Sequence, residues 1–423
     1  MEEKLLHYIW QNQCFTTSSL LTSQSLSLLV LSPGIYNHHA GPDFEQVKII
    51  LDNIIWHGNV EVHVYASQWI EHQHEKDLAY NNVILHVVWE EDKVIYNQQG
   101  EKIPTLELKN YVDILLLERY QQLMEQKKFV LCENISSNVP SVYQASAIES
   151  GTIHKLNRKT NDILNLLRKN EGDWEQTTFQ YLAFALGQPI NAEALLLLAS
   201  RIKTTTLKKY ADNIFQLEAF LFGLAGFLQE ESTDEYQQKL KNEFRFLMSK
   251  HNLQDQILPQ HIWKFLRLRP ASFPTIKIAQ LAAILHRQNA LLSLLLATDE
   301  LKELQNLFCP NLSVYWEKHY RFGAQTQINI KPGSQSFQQI MLNGVIPLLF
   351  TYGQYLKDEN ISEKALNWLQ NIKPEINHIT KSWKEIGWKA ENAFETQGLI
   401  ELKKYWCDKK ACLDCTVGHY LLK

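Results

Sequence analysis

The sequence predicts an α+β protein: a small mixed or antiparallel sheet domain with flanking helices, followed by a mainly α-helical, irregular bundle. Three observations carry that expectation. Up to about residue 108, short β-branched and apolar runs are punctuated by turn pairs such as Pro33-Gly34 and Asp52-Asn53. Beyond 141, apolar residues recur at helical spacing behind Asp and Asn capping residues. Between these regions the stretch from Glu133 to Pro140 is polar and contains Ser, Asn and Pro, as a connection would. The expected domains are therefore 1–132, strand-rich, and 141–423, helical and ending in a Cys-rich tail.

The elements follow in order. Glu3–Trp10 carries Leu5, Leu6, Ile9 and Trp10 and reads as a short helix, and Leu28–Leu31 as a buried strand closed by Pro33-Gly34. Asn37–Phe44 is a turn-rich loop. Val47–Leu51 is a strand, Asp52-Asn53 a tight turn, and Ile54–Tyr65 a strand with Val60, Val62 and Val64 on one face and Glu61, His63 and Tyr65 on the other. Val83–Trp89, with His86 inside it, is a further strand, and Lys93–Tyr96 another after the acidic turn Glu90-Glu91-Asp92. Tyr111–Met124 has helical spacing.

In the second region Ile153, Leu156, Thr160, Ile163, Leu164 and Leu167 trace one helical face. Asp173 caps a helix that Gly187 and Pro189 stop, and Asn191 caps the next. Amphipathic helices continue over Phe215–Leu228, Tyr236–Met248, Ile276–Leu296, Phe337–Tyr355, Ser362–Ile372 and Glu391–Tyr405, with no fixed-period repeat.

Composition narrows the function classes. A chain of 423 residues with 45% hydrophobic and 21% charged residues suits two or three globular domains. The longest apolar stretches, Ala219–Leu228 and Leu291–Ala297, fall far short of the roughly 20 residues a membrane span needs. The start, Met1-Glu2-Glu3-Lys4-Leu5-Leu6, lacks the pattern of a secretory signal, so a cytoplasmic location is expected. Net charge of −4 excludes a globally basic nucleic-acid coat while leaving room for a local basic groove. Six cysteines are too few for a disulfide scaffold, so a thiol cluster points to metal.

Four constellations bear chemistry. In the first, Glu61 and His63 project from one strand face and Asp43 enters the preceding strand beside them. Two carboxylates of this kind bind Mg²⁺ or Mn²⁺, which activates water and steadies the charge of phosphodiester cleavage, while His63 polarises the phosphate or shuttles a proton. The alternative puts Glu61 and His63 on a solvated sheet face, with Asp43 capping a turn. The second is the histidine density of His57, His63, His72, His74 and His86; His72 and His74 read as a substrate-contacting rim, with a transition-metal pair as the other reading. Trp56, Trp69 and Trp89 read as core.

The third is Cys407-x4-Cys412-x2-Cys415 with His419 following, a ligand set for zinc; alternatively Cys132 joins the three thiols around an iron–sulfur cluster, or the cysteines stay free and structural. The fourth is Trp263–Pro270, where Arg267 and Arg269 face phosphates or simply end a solvated helix. Trp316, His319 and Tyr320 read as a packed helix end.

The Asp43 and Glu61-x-His63 arrangement resembles the PD-(D/E)XK nuclease superfamily. There a helix, three strands, a helix and a strand form the core, with an Asp and a Glu-x-Lys pair on the second and third strands. His63 stands where that superfamily carries lysine. The resemblance implies a restriction-endonuclease-like N-terminal domain. Some nucleases of that superfamily hold a cluster on three C-terminal cysteines plus a distant one, an arrangement to which Cys132, Cys407, Cys412 and Cys415 are similar. The segments His39–Phe44, Gly58–His63, Tyr80–Val88, Arg269–Pro274 and Cys412–Cys415 resemble, over nearly the whole chain, a Bacteroidetes-type family known as a domain of unknown function. That resemblance implies that the two regions belong together in one protein and carries over no catalytic residue.

The reading is a metal-dependent, nuclease-like phosphodiesterase acting on nucleic acid, with Asp43 and Glu61 binding Mg or Mn, zinc or an iron–sulfur cluster at the C-terminal cysteines, and the helical region clamping substrate. Two alternatives stand beside it. One is a non-catalytic binding protein whose helical region presents a partner surface. The other is a hydrolase of a different phosphate ester, or one that uses a His-bound transition metal.

Overall fold

The computed structural model describes residues 1–288 and 290–423 and divides into two compact units: Met1–Ala147 with Leu402–Lys423, and Ile148–Glu401. The first unit therefore runs past the boundary read at 132 and takes the C-terminal tail with it.

The first unit opens with α1 (Glu3–Gln11), whose apolar run buries Leu6, Ile9 and Trp10, and the Trp10 indole donates to the Pro33 carbonyl. Seven strands follow: β1 (Leu20–Leu21), β2 (Ser27–Ser32), β3 (Ile35–Tyr36), β4 (Phe44–Leu51), β5 (Ile54–Tyr65), β6 (Val83–Glu90) and β7 (Thr105–Glu107). The sheet order is β1-β2-β4-β5-β6-β7, with β3 also pairing with β4. Pairings up to β5 are antiparallel, whereas β6 lies parallel to β5 and β7 parallel to β6. At the β4–β5 turn Asp52 and Asn53 both take positive φ, +47° and +69°, the backbone that lets a two-residue hairpin follow the twist of its strands.

Parallel pairing of β5 with β6 needs a crossover, here the short helix α2 (Gln68–Glu71) and the 3₁₀ turns His74–Lys76 and Leu78–Tyr80. β5 is thus central and covered on both faces. Val60 and Val62 join Leu6, Ile9 and Trp10 in one core. On the other side Ala66, Trp69, Tyr80, Val83 and Val88 form a second, smaller one. Glu61 and His63 lie on that second side at 5% and 2% exposure, so the solvated sheet face that was the alternative for them does not exist.

The strand expected over Lys93–Tyr96 contributes a single bridge, Tyr96 with Lys102, among the described residues. The Asn97 side chain accepts from the Gln99 and Glu101 N–H groups, closing a tight turn before a ladder can form. The helix α3 (Ile114–Met124) is capped by Asp113, whose side chain accepts from the Leu115 N–H.

The second unit is helical around a core that includes Phe179, Leu182, Phe220, Phe222, Ile278 and Leu348. Asp173 caps Trp174–Gly187 as read. Asn191 occupies the cap position of Ala192–Ser200 but spends its side chain on the Lys264 backbone. The stretch read as one helix over Ile276–Leu296 is covered by two helices, Pro274–Arg287 and Leu291–Ala297, and position 289 between them lies outside the described residues. The span Phe337–Tyr355 passes through a wide π turn at Met341–Val345 just before Pro347, which has no N–H to continue a regular ladder. His319–Arg321 and Ala324–Gln325 pair as a small hairpin where a helix end was read. No helix among the described residues is long and apolar enough to cross a membrane.

Candidate metal centre

Asp43 precedes β4 and sits opposite β5. Its backbone N–H donates to Glu61 Oε2 at 3.1 Å, and its Oδ2 accepts the Val62 N–H at 3.0 Å. This places Asp43 beside Glu61, as the sequence suggested. His7 of α1 completes that corner, with Nε2 at 3.2 Å from Asp43 Oδ2.

The crossover carries His72 and His74 onto the same face. Between them Gln73 takes a left-handed φ of +60°, ending α2 and starting the 3₁₀ turn. His63 Nε2 lies 3.2 Å from His72 Nδ1 and 3.5 Å from Glu61 Oε1, and His74 Nε2 lies 3.1 Å from the same Glu61 oxygen. One ligand atom from each of His63, His72 and His74 falls within 4.8 Å of the others. Donors about 2.1 Å from one ion stand about 3.0 Å apart in an octahedron and about 3.4 Å apart in a tetrahedron, so these contacts match a shared ion. His63 is buried, His74 half-buried and His72 exposed, so the centre meets solvent at His72.

Behind it, His63 Nδ1 bonds His86 Nε2 at 2.9 Å, and His86 is fully buried against Trp69. The His74 ring stacks on Tyr80 at 3.8 Å between centroids. Burial, reinforced by His86, His74 and His72, pushes the His63 pKa down to about 2, and burial pushes His86 down to about 3. Both are neutral imidazoles at physiological pH, the form that ligates metals. Burial raises the Glu61 carboxyl, with Asp43 adding to the rise and His74 opposing it. Burial, the largest single influence, works to lower His7, but the contact with Asp43, joined by the charges of Glu3 and Glu61, leaves it above the ordinary histidine value. Tyr80 is pushed up to about 12, by burial first.

The structure therefore brings together Asp43, Glu61, His63, His72 and His74. His7 was missed as part of the site, and His86, counted in the histidine density, was given no role of its own in it. The available signal for each was an imidazole inside an otherwise apolar run, Leu5–Trp10 and Val83–Trp89. Trp69 is core as read, but Trp56 is 44% exposed. Arg267 and Arg269 do not join this site's unit: they lie exposed in the helical unit, on irregular backbone where Arg267 has φ +61° and Pro270 begins a 3₁₀ turn. Cys407, Cys412 and Cys415 form a separate constellation. His419 is turned from them to the extent that its Nε2 bonds the Leu413 carbonyl and its ring packs on Tyr8 at 5.0 Å.

A family model described as Protein of unknown function (DUF2851) matches residues 3–378, and the chain belongs to that family. No curated protein and no solved structure matches the chain. Every residue of the centre lies within the matched span, and Cys407, Cys412 and Cys415 lie beyond it.

Proposed function

We propose that this member of the family is a metal-dependent phosphodiesterase of nuclease type. The observation that carries the reading is the convergence of His63, His72 and His74 within 4.8 Å of one another, with Glu61 Oε1 against His63 and His74 and Asp43 beside it. The element order supports it: once the two-residue strands β1 and β3 are set aside, α1, then β2, β4 and β5, then α2 and β6, follows the helix, three strands, helix, strand order that the nuclease resemblance implies.

The donor set fits a borderline transition ion. Three imidazole nitrogens and one carboxylate suit manganese or zinc better than magnesium, which prefers oxygen ligands throughout. Such an ion supplies Lewis acidity that lowers the pKa of water and offsets charge growing on a phosphate. Glu61, His63, His72 and His74 would hold it. Asp43 fixes Glu61 by engaging its Oε2, leaving Oε1 toward the imidazoles. His86 fixes the tautomer and orientation of His63, the role of a second-shell partner. With His63 committed on both nitrogens, the proton-transfer role first read for it passes to His7, which Asp43 holds in place.

The test is cleavage of labelled single- and double-stranded DNA and RNA with Mn²⁺, Zn²⁺ or Mg²⁺ added singly, comparing the full chain with Glu61→Gln and His74→Ala. Cleavage that depends on metal and disappears in both variants supports the reading. Absence of cleavage with every substrate and metal overturns it, and metal binding without turnover would favour a binding role.

A further inference from the structure

We propose that Ser336 and Lys277 form a serine–lysine catalytic pair in the helical unit, which transfers the acyl group of a small carboxylic ester or amide to Ser336 and on to water. The inference stands apart from the phosphodiesterase reading, because it shares no residue with the histidine-rich centre and its chemistry uses no metal.

The helix Pro274–Arg287 is buried from Pro274 through Leu285. Lys277 and Gln280 interrupt its apolar run three residues apart, the spacing that puts two side chains on one helix face. Lys277 is 8% exposed, and its Nζ lies 3.3 Å from Ser336 Oγ and 3.5 Å from Gln280 Oε1. The Gln280 amide is fully buried and fixed, because its Nε2 donates to the Phe308 carbonyl at 2.7 Å. The same nitrogen lies 3.4 Å from Ser336 Oγ. Ser336 belongs to the helix Ser334–Ile340 and is half-buried, so it stands where the buried amine comes nearest to solvent.

A lysine buried only to stabilise the fold is expected to face a carboxylate, since an unpaired ammonium is costly to take out of water. Lys155, also buried, meets that need with the charges of Glu375 and Glu401 nearby. Lys277 does not. Among the described residues its hydrogen-bond partners are the neutral Ser336 and Gln280, and the titratable group that acts on it is the Cys309 thiol, itself influenced by Lys331. Burial holds the Lys277 amine down at about 8, so part of the population carries it uncharged at neutral pH. An uncharged amine accepts a proton from a neighbouring hydroxyl. A serine with such a base within hydrogen-bond reach is an activated nucleophile, and serine–lysine pairs are one form of that arrangement.

The steps balance on these two side chains. Ser336 Oγ bonds to the carbonyl carbon of the substrate as its proton passes to Lys277 Nζ. The bond to the alcohol or amine then breaks, and Lys277 returns the proton to that leaving group. Water adds to the acyl ester on Ser336 while giving a proton to Lys277, and the proton moves on to the Ser336 oxygen as the carboxylic acid departs. The half-buried position of Ser336 favours a small ester or amide over a folded polypeptide.

The experiment incubates the full-length chain, with EDTA present, with a fluorophosphonate and separately with p-nitrophenyl butyrate. Tandem mass spectrometry locates the adduct, and nitrophenol release is followed against pH. The expected result is a phosphonyl group on Ser336 and ester hydrolysis that rises through about pH 8 as Lys277 loses its proton. Ser336→Ala is expected to abolish the adduct, and Lys277→Met to slow both reactions by roughly 10²- to 10⁴-fold, the range for removing a general base. Ser334→Ala, an exposed serine on the same helix, is expected to change neither. Wild-type protein that carries no adduct on Ser336 and hydrolyses the ester no faster than Ser336→Ala overturns the pair, as do undiminished rates in Lys277→Met. Should Lys277→Met fail to fold, the adduct position and the pH profile of the wild type still decide. EDTA keeps the histidine-rich centre out of the readout, so the outcome is independent of the phosphodiesterase reading.

Discussion

Asp43 and Glu61 hold one another across β4 and β5. The Asp43 N–H donates to Glu61 Oε2 at 3.1 Å, while the Asp43 carboxylate accepts the N–H of Val62, the residue after Glu61, at 3.0 Å. Each carboxylate is therefore positioned by the other's strand, and Glu61 Oε1 is left facing His63 and His74. Glu61→Gln keeps an oxygen for the Asp43 N–H but removes the charge. It is expected to weaken Mn²⁺ or Zn²⁺ binding at least about 100-fold with the fold intact; titration calorimetry with circular dichroism checks both. Undiminished affinity in this variant would remove Glu61 from the ligand set.

His7 touches Asp43 but is not among the residues proposed to hold the metal. His7→Gln should therefore retain metal and lose turnover, by roughly 10²- to 10⁴-fold, the range for removing a general acid or base. Steady-state kinetics on the most rapidly cleaved substrate, alongside metal content, decides this. Loss of metal together with activity would place His7 in the metal site instead.

His86 orients His63 from a fully buried position. His86→Leu leaves the His63 Nδ1 without its partner, at a cost of about 1–3 kcal/mol, and should lower metal affinity about 10- to 100-fold. Urea denaturation and metal titration read the two effects separately. An unchanged affinity would mean that His63 is oriented by its other neighbours.

In the helical unit Glu218 is fully buried, and its Oε2 accepts from the Tyr236 hydroxyl at 2.7 Å and the Trp316 indole at 3.0 Å. Burial pushes its pKa up to about 7. The folded state thus binds this proton more tightly than the unfolded chain does. Its contribution is full below the ordinary glutamate value and is lost as pH rises toward about 7, by at most about 3 kcal/mol. Glu218→Gln keeps an acceptor without the charge, so it should flatten the fall in melting temperature between pH 5 and pH 7, roughly the window set by the shift. Parallel pH profiles for wild type and variant would refute the assignment.

Gly58 lets the start of β6 approach β5. A Cβ there would stand 2.4 Å from Ile84 Cγ2 and 2.6 Å from the Asn82 carbonyl oxygen. Gly58→Ala should cost about 1–3 kcal/mol by overpacking, and the displacement of β6 should carry His86 with it. Chemical denaturation measures the first effect and metal affinity the second; full stability would show that the strand entry yields freely.

By itself the sequence determined which residues share a face and where the chain turns. The alternation in β5 put Glu61 with His63, Asp52-Asn53 marked the hairpin, and Asp43 was legible as its companion because one turn joins the two strands. Alternation says nothing of what covers a face. Only the tertiary structure made β5 central, by pairing it in parallel with β6, and that pairing laid the crossover with His72 and His74 over Glu61. The same limit explains His7 and His86: each was visible as a residue, but its partner lay on another element, and the meeting depends on long-range packing that no local spacing encodes. Arg267 and Arg269 show the converse, a suggestive local pattern that folding placed in a different unit from the site.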